Sequence, residues 1–216
     1  MSLLVANASI AAAEYAAKNW HYSKCLPVGK LVKYGVWENE KFIGVVIYSR
    51  GASPYLGRAL ELDQTEVCEL TRVALTTHEA PVSQIVATTL SLLKKDNPAL
   101  RAVVSFADPK EGHVGGIYKA GNWLFTGTSN PATEYFIDGR WMHVRNGYHH
   151  PDRPTAAKRE TPGKFRYIYP LDRALRRKVS MLALPYPNAV EGLKVSRQDS
   201  VLKEQVRSLP TAREKN

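Results

Sequence analysis

Two apolar runs separated by one amphipathic stretch restrict this chain more than any other feature. Residues 66–75 (EVCELTRVAL) read as a strand: Val67, Leu70, Val73 and Leu75 are apolar, and the alternation slips around Thr71 as a β-bulge would make it. Residues 101–108 (RAVVSFAD) are nearly continuous in apolar character, the pattern of a strand covered on both faces. Between them Ile85, Val86, Leu90, Leu92 and Leu93 form a helical stripe ending at Lys94, Lys95, Asn97 and Pro98, with Ser83 the expected N-cap. Strand, helix, strand in that order implies a crossover between parallel strands, expected to be right-handed.

The flanking sequence extends that unit. Ser9 to about Trp20 reads as a helix with Ser9 as N-cap. Residues 30–38 and 41–51 form a hairpin about the polar residues Glu38-Asn39-Glu40. A glycine-interrupted short helix is expected within 113–123. Strands follow in LFTGTS, TEYFIDGR and RWMHVR, with Asp138-Gly139 as the turn between the last two. FRYIYPL (165–171) reads as a closing strand, and RALRRKVSML as a basic segment. The fold class is α+β: a mixed central sheet flanked by helices, with a basic C-terminal extension. The expected organisation is a catalytic body at 1–147, a basic connector and closing strand at 148–187, and a polar tail at 188–216.

Charge is unevenly placed. Residues 1–139 hold 13 Lys+Arg and 13 Asp+Glu, whereas residues 140–216 hold 17 and 7, so the whole net charge of +10 lies in the last third. A neutral body with a basic end points to a polyanionic partner, nucleic acid first, because its phosphates reward local positive charge through counterion release. No apolar run approaches the roughly 20 residues of a membrane-spanning helix. Two cysteines, Cys25 and Cys68, are too few for a disulfide scaffold or a thiolate zinc site, and a reducing cytoplasm is the expected setting. P-loop, G-x-G-x-x-G and H-E-x-x-H patterns are all missing from the sequence.

Function in an open sheet gathers outside the C-terminal ends of parallel strands. At the first such end, Arg72 and Ser83 flank a helix N-terminus whose N–H groups suit a phosphate. At the second, Asp108 closes a buried strand, with His113 and Tyr118 just downstream; its carboxylate can act as base, acceptor or metal ligand, or can simply cap the next turn. His21 and Tyr22 form a further polar-aromatic pair. With Asp108 they would offer oxygen and imidazole ligands of the kind that suit iron or manganese. Arg50 and the run RWMHVRNGYHH, with Arg140, His143 and Arg145, join Lys164 and Arg166 as candidate nucleic-acid contacts able to clamp a backbone and stack an exposed base.

Taken together, ELTRVALTTHEAPVSQIVATTLSLL and RAVVSFAD resemble the core motif of the GNAT acyltransferase fold, in which strand, loop and helix hold the pyrophosphate and pantetheine of acyl-CoA. The loop here contains no glycine. A longer resemblance is to the Mom family of phage DNA-modification proteins, a divergent branch of that fold. It is carried by WHYSKCLPVGK, YGVWE, FIGVVIYSRG, CELTRVAL, VVSFADPKEGHVGGIYKAGNW, FIDGRWMHVR, KFRYIYPL, RRKV and LPYP, in order over residues 19–187. That resemblance implies addition of a carbamoylmethyl (acetamido) group to the exocyclic N6 amine of adenine in double-stranded DNA, which protects phage DNA from host restriction. It implies an acetyl-CoA-type donor and iron. It also makes His21, Tyr22, Asp108 and Tyr118 the catalytic or metal candidates, and Arg72 and Ser83 the donor-contacting ones. Two other readings stand beside it: an acyl-CoA-dependent N-acyltransferase acting on a protein or small-molecule amine, and a non-enzymatic nucleic-acid-binding module.

Overall fold

The computed structural model describes residues 2–51, 53–144 and 149–188. Its contacts divide the chain into two compact units, each discontinuous in sequence. One comprises Met1–Phe106, Gly115–Gly127 and Arg166–Pro185; the other comprises Ala107–Val114, Thr128–Phe165 and the residues from Tyr186.

The first unit is built on a seven-stranded mixed sheet. Its strands are β1 (Leu3–Asn7), β2 (Leu31–Glu38), β3 (Lys41–Ser49), β4 (Val67–Leu75), β5 (Ala102–Ala107), β6 (Leu124–Thr128) and, last in sequence, β10 (Phe165–Pro170), in the order β1-β2-β3-β4-β5-β10-β6. The β4–β5 pair is parallel, as the crossover pattern requires, and β5 lies inside the sheet between β4 and β10. The β2–β3 hairpin turns through Asn39 (φ +48°) and Glu40 (φ +66°), the two left-handed residues that a tight two-residue turn needs. Pairing passes from Ile47↔Arg72 to Tyr48↔Leu70, leaving Thr71 as the bulged residue, and its hydroxyl donates to the Ile47 carbonyl at 3.0 Å. Gly44 permits a second irregularity: at φ +145° a Cβ there would stand 2.1 Å from the Ala74 carbonyl oxygen.

Helices cover both faces of this sheet, which explains the unbroken apolar run of β3. Helix α1 (Ile10–Trp20), capped by Ser9, presses Ala13 and Ala16 onto Val45, Ile47 and Ala74. Tyr48, of opposite parity on β3, meets α2 (Val82–Asp96) through a 2.6 Å hydrogen bond to Thr89. Burial leaves both faces of β3 dry, so alternation is lost there. The short α3 (Gly116–Ala120) follows β5, and α4 (Arg173–Ser180) packs Leu175 and Val179 with Val67, Ala102, Val104 and Ile168. The second unit holds a three-stranded antiparallel sheet, β8-β7-β9, made of β7 (Ala132–Ile137), β8 (Arg140–His143) and β9 (Lys158–Thr161). Asp138 and Gly139 form the β7–β8 turn, with φ of +52° and +73°.

Three expectations change. Ser83 is not the N-cap of α2: Pro81 holds that position, with no side-chain cap, and Ser83 is already the second helical residue. The strands β1 and β9 were not anticipated, since LLVAN is short and KRET carries no apolar alternation. Among the described residues, no helix is long and apolar enough to cross a membrane.

Candidate active site

The centre of the first unit's candidate site lies where β4 and β5 stop pairing. Their register runs from Val67↔Ala102 to Leu70↔Ser105, and β4 then passes through the Thr71 bulge and on to Leu75. Ser105 is a buried hydroxyl in an otherwise apolar strand. It donates to the Leu70 carbonyl at 2.8 Å and lies 2.7 Å from the Tyr118 hydroxyl. A carbonyl only accepts and serine has one proton, so Tyr118 is the donor to Ser105. The three groups form a directed relay from Tyr118 through Ser105 to Leu70.

Packing fixes that geometry. The Tyr118 ring stacks on Tyr167 with centroids 4.7 Å apart and meets Trp123 edge-on at 5.1 Å. Gly115, at φ +81°, lets the backbone pass close to Tyr167, where a Cβ would stand 2.3 Å from that ring. Burial pushes the Tyr118 phenol up to about 12; the hydrogen bond with Ser105 opposes the shift, while Tyr22 and Glu69 add to it. Tyr118 is therefore a neutral hydrogen-bond donor at physiological pH. Tyr22 and Glu69 are its electrostatic neighbours.

His21 and Tyr22 follow α1 directly. Their rings lie 4.3 Å apart, and His21 is buried while Tyr22 is exposed. His21 Nδ1 lies 2.8 Å from the Ser23 hydroxyl and 3.1 Å from the Ser23 amide, which fixes the ring against this turn. Arg72 anchors this segment to β4: its Nε donates to the Cys25 carbonyl at 3.3 Å and a terminal nitrogen donates to the Thr71 carbonyl at 2.7 Å.

The loop between β4 and α2 is already filled. Glu38, at the end of β2, accepts the amides of Glu79 (2.9 Å) and Ala80 (2.7 Å). Those two bonds hold its carboxyl below the ordinary glutamate range. His78 Nδ1 closes the loop from within, donating to the Ala80 carbonyl at 2.8 Å, and the amides of Gln84 and Ile85 both turn back to the Pro81 carbonyl. An internal carboxylate thus occupies two amides of this loop, at Glu79 and Ala80.

In the second unit, Asp108 is buried and committed. It caps the turn Pro109–Glu111, accepting the Lys110 amide at 3.0 Å through Oδ1, and its Oδ2 lies 2.7 Å from Lys164 Nζ. Beside this capping pair, Lys110 Nζ joins Glu134 (2.9 and 3.0 Å), which also takes Arg159 (2.9 and 2.7 Å). Burial alone would raise the Glu134 carboxyl, but Lys110 and Arg159 outweigh it and hold the group low. Arg159 also lies over the Trp141 ring at 4.3 Å.

Of the expected iron ligands, Asp108 has both oxygens engaged, one of them by an ammonium standing where a cation would bind. Among the described residues, the three His/Cys/Asp/Glu side chains with clustered ligand atoms are Asp138, His150 and Asp152. There the carboxylates stand beside different ring nitrogens of His150, Asp138 at Nε2 (3.3 Å) and Asp152 at Nδ1 (3.8 Å).

The candidate nucleic-acid residues fall into different situations. Arg50 and Arg140 are exposed, and His143 is half-buried opposite Glu134. Lys164 is paired with Asp108, and Arg166 binds the Thr126 hydroxyl (3.0 Å) and carbonyl (2.8 Å). Arg145 lies outside the described residues, as does the tail from residue 189. Ser105 and Glu69 were missed in the sequence. Their signal was a polar residue inside an otherwise apolar run, Ser105 in AVVSFA and Glu69 in VCEL.

The sequence profile of the Mom protein family matches residues 2–188. Methylcarbamoylase mom of Escherichia phage Mu is 31% identical over 129 residues, which make up 57% of this chain and 52% of that protein. The chain thus spans about half the length of the curated relative it matches. Among solved structures, aminoglycoside acetyltransferase AAC(6')-Ib, in complex with coenzyme A and kanamycin, aligns with a TM-score of 0.50 at 10% identity, covering 83% of this chain and 99% of that one. Spermidine/spermine N-acetyltransferase SpeG from Vibrio cholerae, in complex with manganese ions, aligns at 0.48 with 12% identity over 82% of this chain and 96% of that one. The fold is that of the GNAT acetyltransferases, as the strand–helix–strand pattern and its resemblance led one to expect.

Proposed function

Because the chain belongs to the Mom protein family, we propose that it is a phage DNA-modifying transferase that attaches a carbamoylmethyl group to the N6 amine of adenine in double-stranded DNA and so shields that DNA from restriction nucleases. The name of the phage Mu relative, a methylcarbamoylase, supports transfer of a small group that carries a carbamoyl function. In the structure, the observation that carries the reading is the Tyr118–Ser105–Leu70 relay at the parting of β4 and β5.

The chemistry sets the demands. The N6 lone pair is delocalised into the purine ring, so the donor must carry a good leaving group and the reacting atoms must be positioned. A bond forms from N6 to the methylene carbon of the donor, and the bond from that carbon to its leaving group breaks. The leaving group departs with the electron pair, and N6 gives its proton to the Glu69 carboxylate, which releases it to solvent. Tyr118, neutral at physiological pH, is suited to donate a hydrogen bond to the departing group. When its hydroxyl turns from Ser105 towards the departing group, Ser105 keeps its own proton on the Leu70 carbonyl, and the phenol regains from solvent any proton it gives up. Glu69, whose charge Tyr118 senses, is the acidic group nearest this relay in effect, and His21 and Tyr22 are assigned to placing the substrate. Asp108 receives its part from the family resemblance, with its carboxylate held by Lys110 and Lys164. Adenine inside a duplex is paired, so extrusion of the base is the economical route to N6. No step is assigned to coenzyme A or to iron.

The test is nucleoside mass spectrometry of plasmid DNA recovered after expression. An adenosine adduct bearing a carbamoylmethyl group is expected. Soluble, abundant protein with unmodified DNA would overturn the reading, and DNA-independent acetyl transfer to an amine would favour the acyltransferase alternative.

A further inference from the structure

We infer that the exposed face of α4 binds the phosphate backbone of duplex DNA. The inference rests on the DNA-modifying function proposed above and adds a contact surface to it. Helix α4 is firmly seated. Asp172 caps it, accepting the Leu175 amide at 2.7 Å, and the same carboxylate joins Arg101 at 2.9 Å. Leu175 and Val179, one turn apart, face the core of the first unit. The opposite face carries Arg173, Arg176 and Arg177, all exposed, and with Ser180 and Met181 they line an open cleft of about 580 Å³.

What distinguishes these three arginines is that their charge is unspent. Among the described residues, none of them makes an ion pair. Arg176 donates to the Asn122 carbonyl at 3.2 Å, which orients the guanidinium without neutralising it. Other cations of the basic third behave otherwise. Lys178, on the same helix, is paired with Glu61 at 2.6 Å; Lys164 is paired with Asp108 and Arg159 with Glu134. Three guanidinium groups on one stretch of helix, with no carboxylate within Arg173–Ser180, present forked donors to an anion array. Phosphate contacts of this kind set register and hold the duplex while carrying no sequence information. A polyanion of regular spacing satisfies all three at once. Ser180, whose hydroxyl caps the Arg176 carbonyl at 2.8 Å, keeps the last turn closed beneath them.

The experiment uses the full chain, with duplex DNA of arbitrary sequence, and measures affinity across a salt series by fluorescence anisotropy. The variant carries Arg173→Gln, Arg176→Gln and Arg177→Gln. A control removes three exposed lysines from the neutral part of the sequence (Lys18→Gln, Lys30→Gln, Lys41→Gln), matching the loss of net charge. Three lost phosphate contacts should flatten the slope of log K against log salt by about 2.7, so that between about 50 and 200 mM salt the wild type loses roughly 40-fold more affinity than the variant. The control should keep the wild-type slope. Adduct formation by the variant should show a raised KM for DNA at unchanged kcat. A wild-type slope in the arginine variant overturns the inference, as does an equal flattening in the control, which would make net charge and not α4 the cause. Failure of the proposed function reads differently: the wild-type protein itself would then leave DNA unmodified.

Discussion

Replacing Tyr118 by phenylalanine removes one oxygen and keeps the ring on which Tyr167 stacks at 4.7 Å and Trp123 packs at 5.1 Å. Only the hydrogen bond to Ser105 is lost, and Ser105 retains its own acceptor, the Leu70 carbonyl. The cost is that of one buried hydrogen bond with no charge stranded, about 0.5–1.5 kcal/mol. For a chain of this size that corresponds to a fall in Tm of roughly 2–4 °C per kcal/mol. Ser105→Ala is expected to cost more, about 1–3 kcal/mol, because it strands both the Tyr118 hydroxyl and the Leu70 carbonyl in a buried place. The double variant should cost less than the two singles together, since its second substitution removes the very group the first one stranded. Catalysis should respond out of proportion: loss of a positioned hydrogen-bond donor lowers the rate by about 10²–10³-fold. Thermal unfolding alongside a time course of adenosine adduct formation separates the two effects. Full modification rate in Tyr118→Phe would refute the relay as a catalytic device, and costs that simply add in the double variant would refute it as a coupled structural one.

Three further outcomes follow from the charges and burial. Cys68 and Tyr118 are each pushed up to about 12 by burial, and Tyr34 and Tyr48 are shifted the same way, so the folded chain holds these protons more tightly than the unfolded one. Stability should be level up to about pH 9 and fall as pH rises towards 12, read as the urea midpoint at pH 8, 10 and 11; an unchanged midpoint at pH 11 would contradict it. Glu38→Gln should speed hydrogen exchange at the Glu79 and Ala80 amides and leave the Leu93 amide in α2 unchanged, and in the wild type the same loosening should come only at pH below the ordinary glutamate range, because those amides hold the carboxyl low. Lys164→Gln takes the ammonium from the Asp108 carboxylate and, with Lys164 about half exposed, should destabilise by roughly 1 kcal/mol. Adding Asp108→Asn, which keeps an acceptor for the Lys110 amide, should restore most of that loss in a thermal scan, while the adduct assay on Asp108→Asn alone reads the catalytic part of Asp108.

What could be read in advance was what is local. Ser9 ahead of an alanine-rich stretch, the Asn39-Glu40 turn and the slip of alternation at Thr71 each depend on a few neighbouring residues, and the structure places all three as expected. Ser83 misled because Pro81, two residues earlier, has a φ of −56° that already suits a helix entry and takes the N-cap position without a side-chain cap. The partners of the site residues lie beyond any local pattern: Asp108 meets Lys164 and Glu38 meets the loop at Glu79 and Ala80, across separations of about forty to sixty residues that only the folded sheets close. Ser105 and Glu69 stood in plain view as the polar interruptions of AVVSFA and VCEL. A hydroxyl or carboxylate inside a strand otherwise selected for burial has to be bonded, and Ser105 is bonded to two partners.

The excess charge of the last third acquires meaning only when each cation is followed to its partner. A count of +10 treats Lys164, Arg159 and Arg173 as equals. The structure sets Lys164 against Asp108 and Arg159 against Glu134, so those side chains build the second unit, and removing them would first cost fold. Arg166 is held on Thr126 and Arg101 on Asp172, where they tie neighbouring elements together. A cation already matched to a carboxylate releases few counterions when DNA arrives, since the pair must be broken before a phosphate is gained. Arg173, Arg176 and Arg177 carry no such debt, and they stand on a helix whose other face is locked by Leu175 and Val179. Affinity for a polyanion should therefore track unmatched guanidinium groups on rigid elements, and substitutions at α4 should change DNA binding more, and stability less, than substitutions of equal charge at Lys164 or Arg159.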